Sequence, residues 1–93
     1  MNLNINMNSK FTEMIDNRQL ANRDILSHLF TLVELYPDLR FGQILVNIGI
    51  IQYQRDPASF DVIGVKDPFN EESVETLQRV SNKIKQYKDE GII

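Results

Sequence analysis

The stretch "YPDLRFGQILVNIGI" (residues 36–50) decides how this chain folds. Pro37 closes the helix before it, because a proline pushes the preceding residue out of the helical region. Asp38 can cap a second helix, "LRFGQILVNI", whose apolar face is Phe41, Ile44, Leu45 and Ile48 at spacings of three, four and seven. Gly49 suits the position just past that helix, with Ile50 supplying the usual hydrophobic contact. Two residues resist this plain reading. With Asp38 as cap, Arg40 falls at N2, where a cation opposes the helix dipole by about 0.3–1 kcal/mol. Gly42 sits in the second turn and costs roughly 0.5–1 kcal/mol relative to alanine.

Working outward, "NRDILSHLFTLVELY" reads as the helix before Pro37, with Asn22 as N-cap and Asp24 in the first turn. Ile25, Leu29, Leu32 and Tyr36 form one apolar row, and Leu26, Phe30 and Val33 form the next. A face that wide is expected to pack on two neighbours. The connection at Pro37 is so short that the helices of residues 22–36 and 38–48 must lie antiparallel or sharply angled. Upstream, residues 10–17 suggest a short helix capped by Ser9, and strict alternation over residues 3–7 suggests a short strand or a frayed tail within residues 1–8.

Beyond residue 50 the helical pattern is lost. "IIQYQ" and "FDVIGV" are rich in β-branched and aromatic residues, with the turn "RDPAS" between them. This reads as a small β-hairpin, with a long irregular loop over residues 50–69 as the rival. A last helix over residues 68–89 follows, started by Asp67 and Pro68 or later at Asn70, and stopped by Gly91. Val74, Leu77, Val80 (or Ser81), Ile84 and Tyr87 make its stripe. Glu71, Glu72 and Glu75 come early, and Arg79, Lys83, Lys85 and Lys88 late, which complements the dipole; Glu75 and Arg79 form an i,i+4 pair. The fold expected is therefore mainly α: a helical hairpin plus a C-terminal helix, with a small β-hairpin between them.

Composition narrows the function. Ninety-three residues form one domain, 1–93, burying only about 60–65% of its unfolded surface. Such a small core, with apolar faces left over, predicts a homodimer or higher homo-oligomer. The hydrophobic share of 42% and charged share of 25% are those of an ordinary globular chain. A net charge of −3 speaks against duplex nucleic acid as the ligand. The absence of cysteine excludes a disulfide framework and a thiolate zinc site, and fits a cytoplasmic setting. The densest apolar run, "ILSHLFTLVELY", is too short for a membrane span and contains His28 and Glu34.

No residue pattern points to chemistry. His28 has Asp24 four residues before it but no second histidine or cysteine to complete a metal or nucleophile set. The acidic group Asp67, Glu71, Glu72 and Glu75 lacks the glycine and alternating oxygen ligands of a calcium loop, and helix-start charge explains it. The late lysines read as a solvated helix face. No enzyme activity, metal or cofactor is expected. What remains is a polar stripe: Arg40, Gln43 and Asn47 share one face, with Gly42 leaving the backbone open beside them and Tyr36 nearby. In the structural reading, Gly42 admits a neighbouring helix and Arg40 pairs with Glu34, Asp38 or Glu71. In the other reading, the stripe is a recognition face for an anion or a partner protein.

The residues "YPDLRFGQILVNIGI" and "DPFNEESVETLQRV" together resemble a group of small, uncharacterised proteins from bacteria, phages and mobile elements. These share a Pro-Asp-Leu-Arg, Gly-Gln core and a later Asp-Pro-Phe with acidic residues, and the likeness covers about residues 22–80. It implies a helix-rich accessory protein and brings no catalytic residues. The function expected is binding and occlusion of a host protein. The alternative is an oligomeric binder of a small anionic ligand such as a nucleotide, with Arg40 and helix-start amides on the phosphate and Tyr36, Tyr53 or Phe69 stacking on the base. A proline at Leu29 or Leu77 should abolish most of the helical circular dichroism signal; a strand-dominated spectrum of the unaltered chain would refute the helical reading.

Overall fold

The computed structural model describes residues 2–93, with side chains from Ser9 onward. In chain order it holds α1 (Asn2–Leu35), α2 (Phe41–Asn47), β1 (Gln52–Arg55), β2 (Val62–Lys66) and α3 (Ser73–Asp89). The chain is mainly helical, with a two-stranded antiparallel hairpin between α2 and α3.

No glycine or proline occurs before Pro37, so nothing breaks the first helix. The separate helix expected over residues 10–17 and the one expected from Asn22 are one continuous α1. Ser9 and Asn22 both lie inside it, so neither marks a helix start. Residues 3–7 also carry helical backbone, so the short strand suggested by their alternation does not form. The facing of their side chains lies outside the described residues.

Pro37 ends α1 as expected, but it does more than stop a helix. The Leu39 N–H donates to the Tyr36 carbonyl at 3.2 Å, closing a turn with Pro37 at its second position, where the fixed φ of proline fits. Asp38 is used up in that turn and does not cap α2. The cap is Arg40, in extended conformation, and its backbone N–H donates to Gln43 Oε1 at 2.8 Å. That is half of a capping box; arginine has no acceptor with which to complete the other half. Arg40 is therefore the N-cap rather than N2, and Gly42 moves from the second turn to the first.

Both α2 and α3 stop in the same way. Gly49 takes φ +86°, its N–H donates to Val46 O, and the Ile50 N–H donates to Leu45 O. Gly91 takes φ +73°, with matching bonds from Gly91 to Lys88 O and from Ile92 to Tyr87 O. Each is a left-handed glycine stop followed by an isoleucine that covers the last turn. At the other end, α3 begins at Ser73, later than either expected start. Asp67 Oδ1 instead accepts the Phe69 N–H, and Pro68 O accepts the Glu71 N–H, so this acidic segment is a turn.

The core gathers Leu32 of α1, Ile44 and Ile48 of α2, Ile50, and Val80 and Ile84 of α3. Ile25, Leu29 and Tyr36 pack against it, so the first apolar row of α1 is covered as expected. The second row is not. Leu26, Phe30 and Val33 face solvent, because α1 packs along α3 and touches α2 only near its end. On α3 the buried positions are Thr76, Val80 and Ile84, while Val74 is exposed. The chain extends 56 × 34 × 23 Å with a radius of gyration of 17.0 Å, against about 12 Å for a compact domain of this length. Among the described residues no helix is long and apolar enough to cross a membrane. Ile48, fully buried, should cost roughly 2–4 kcal/mol of unfolding free energy when changed to alanine. The exposed Phe69 changed likewise should stay within about 0.5 kcal/mol; urea denaturation of both variants checks the contrast.

Candidate functional site

Four of the five residues singled out in the sequence meet in one place. Arg40, Gly42, Gln43 and Asn47 line an open groove of about 700 Å³ between α2 and the hairpin. Its remaining wall is apolar and aromatic: Val46, Ile51, Tyr53 and Val65. Tyr36 is not part of it. It lies in a smaller cavity of about 290 Å³ with Leu32, Leu39, Ile44, Tyr87 and also Asn47, where its hydroxyl donates to the Ile92 carbonyl at 2.8 Å. The Tyr87 hydroxyl donates to the Asn47 carbonyl beside it, and burial raises the Tyr87 pKa. Tyr36 and Tyr87 thus fasten the chain's last residues and α2 to the core.

Neither structural explanation offered for the stripe holds. A Cβ added at Gly42 would meet nothing within 4 Å, so no helix packs there. Among the described residues Arg40 forms no ion pair; Glu34, Asp38 and Glu71 are not its partners. Gln43 is bound to the Arg40 backbone, while the Arg40 guanidinium, Gly42 and the Asn47 side chain line open surface.

The hairpin carries the groove's apolar wall onward. Tyr53 pairs across the strands with Val65, and Ile63 follows two residues before Val65. A bulge between Gln54 and Arg55 sets Arg55 opposite Val62. The Arg55 guanidinium stands 5.9 Å over the Tyr53 ring and also donates to the Phe60 carbonyl at 3.0 Å. Asp56 builds the turn by accepting from the Ser59 and Ala58 N–H groups, which lowers its pKa. Phe60, at the end of that turn, takes φ +62° with its ring 71% exposed. An aromatic residue in the left-handed region is strained by about 1 kcal/mol or more, and here most of the residue is left in solvent, so burial does little to offset it. No sequence pattern marks this residue, since any turn of that length could place its strain on a glycine.

The acidic group is structural. Arg79 donates two bonds to Glu71, at 2.6 and 2.9 Å, and a third from Nε to the Gly49 carbonyl at 2.6 Å. The buried Thr76 hydroxyl also donates to Glu71. The i,i+4 pair expected between Glu75 and Arg79 is replaced by this contact with Glu71. Glu72 accepts two bonds from Arg18 of α1, at 3.0 and 2.8 Å, on the exposed surface. Among the described residues no three His, Cys, Asp or Glu side chains gather where they could hold a metal ion. His28 is half-buried, with no hydrogen bond to Asp24. No family model, curated protein or solved structure matches the chain.

Hydrogen bonds from Arg79 and then Thr76 hold the Glu71 carboxyl at about 2, below its ordinary 4.5. The unfolded chain therefore binds more protons between these values. The stabilisation is fully present above pH 4.5 and is lost as pH falls toward 2. Urea unfolding across that range should show the decline; Glu71→Gln should flatten it and lower stability at neutral pH by about 1–3 kcal/mol.

Proposed function

We propose that this chain is a small, non-catalytic accessory protein, of the phage or mobile-element kind, that binds a host protein and occludes part of its surface. The contact face is the groove beside α2 together with the outer side of the hairpin. The observation that carries this reading is Phe60: a strained aromatic at the tip of a hairpin, whose backbone closes the turn while its side chain stays largely exposed. Glycine would serve this turn without strain, so an exposed aromatic kept there points to a use outside the fold. Arg55 bonds to Phe60 and stands over Tyr53, and Tyr53 lines the groove with Val65 and Arg40, an aromatic and arginine set of the kind that anchors protein interfaces. A two-stranded hairpin with apolar residues exposed on it is marginal alone and gains from being covered.

A second reading, a small anionic ligand in the groove, is favoured by the free Arg40 guanidinium and the Tyr53 ring on the same wall. It is the weaker of the two. Tyr36 and Phe69 do not line the groove, and α2 is under two turns long, too short to offer much dipole.

Native mass spectrometry of the protein purified from its host cell separates these readings. A retained polypeptide is expected, lost in Arg40→Glu and in Phe60→Gly, and kept in Lys85→Glu. Phe60→Gly should meanwhile leave stability unchanged or raise it by about 0.5–1 kcal/mol, because glycine accepts that backbone freely. A retained small anion would favour the second reading. Retention unaffected by Arg40→Glu and Phe60→Gly would remove this face from consideration.

A further inference from the structure

The groove between α2 and the hairpin has unlike walls. The α2 side carries Arg40, Gln43 and Asn47, and the hairpin side carries Ile51, Tyr53 and Val65. The open polar groups on the α2 side are mostly donors. Gln43 Oε1 accepts the Arg40 N–H at 2.8 Å. A backbone N–H can only donate, so the Gln43 oxygen is fixed there and its amide N–H groups stay open. The Arg40 guanidinium adds a fork of N–H donors, and among the described residues no carboxylate pairs with it. A second guanidinium, that of Arg55, stands 5.9 Å over the Tyr53 ring. The chain as a whole carries a net charge of −3, yet among the described residues the only charged side chain lining this groove is the positive Arg40.

We infer that the groove takes an extended, acidic segment of the partner protein, in which acidic and apolar residues alternate. This inference rests on the reading of this face as a protein-binding surface, and it names the chemistry of what is bound. Charge complementarity selects the acid: open donors around a free guanidinium match a carboxylate, which only accepts. The unlike walls select the alternation. Successive side chains of an extended segment point to opposite sides, so one set meets Arg40 and Gln43 while the other meets Ile51, Tyr53 and Val65. The length of the site selects a polypeptide. Arg40 to Asn47 covers roughly 10 Å, which about three residues of extended chain span. The apolar wall then continues past Val65 to the exposed Ile63. A free phosphate would answer Arg40 and leave that wall bare.

Fluorescence anisotropy with a labelled, end-capped short peptide alternating glutamate and valine tests this on the full chain. The peptide should bind, and replacing its glutamates with glutamine should weaken binding at least about tenfold. So should grouping its glutamates and valines into separate blocks. Raising salt from about 50 to 500 mM should weaken it several-fold. Gln43→Glu keeps an oxygen to accept the Arg40 N–H, so α2 stays capped, but replaces the open donors with a negative charge. Its melting temperature should match that of the unaltered chain, while affinity for the peptide falls at least about tenfold. Arg40→Gln, which keeps the same backbone cap bond, should show the same loss. No binding at about 1 mM, equal affinity for the glutamine or block peptides, indifference to both variants, or tighter binding of ATP than of the peptide would each overturn the inference. A host polypeptide still lost on Arg40→Glu would then leave the protein-binding reading standing, so the two fail separately.

Discussion

The Arg79 guanidinium reaches from α3 to the Gly49 carbonyl and to both carboxylate oxygens of Glu71, and the arrangement of the other parts follows from it. Gly49 is the stop of α2, so the bond sets where that helix ends against α3. Glu71 closes the turn before α3, so the same side chain sets where α3 begins. The aliphatic stem of Arg79 would stand 3.4 Å from a Cβ at Gly49, which adds a steric reason for glycine to the positive φ. One residue later, Glu72 is bound by Arg18 of α1. Two adjacent carboxylates are thus gripped from two helices, the inner one shielded and the outer one in water. The shielded pair is the more consequential, since removing either partner would leave the other charge partly buried and unpaired.

The fold was legible where local chemistry decides it. Pro37 as a helix end, Gly49 and Gly91 as stops, the strands on either side of "RDPAS" and the Val80 and Ile84 positions of the α3 stripe all act over a few residues, whereas Val74 is exposed and Thr76 is buried in its stead. What the sequence hid lay in competition between local options. Asn22 and Ser9 are good caps, but a cap forms only if the preceding residues leave the helix, and without glycine or proline they do not. Asp38 and Asp67 are good caps too, and both are diverted into turns made by the neighbouring prolines. The partner of Arg79 was misjudged for another reason: Glu75 is the neighbour on an ideal helix, whereas Glu71 becomes reachable only once the chain before α3 bends back.

The groove was read in part. Arg40, Gln43 and Asn47 share a face at spacings of three and four, and the helix delivers that face intact even though it starts at Phe41. The apolar wall of Ile51, Tyr53 and Val65 depends on how the hairpin folds over α2, which no spacing within α2 can reveal. Tyr36 was grouped with the stripe because it is close in sequence, but it lines a neighbouring cavity that shares only Asn47 with the groove. Phe60 escaped notice altogether, since its backbone conformation is imposed by the turn at Asp56 rather than by its own identity.

The pairing of α1 with α3 also bears on how the chain is made. α1 leaves the ribosome before α3, its main neighbour, from which it is separated by α2 and the whole hairpin. During synthesis the row Ile25, Leu29 and Leu32 stays bare alongside Leu26, Phe30 and Val33, so two adjacent apolar rows of a long helix stay exposed until α3 emerges. Nascent chains on one message hold such helices close together at high local concentration. For this architecture the interval before α3 appears is the period of greatest exposure to aggregation, and the polar residues Asn17, Arg18, Gln19 and Asn22 along α1 are its main local safeguard.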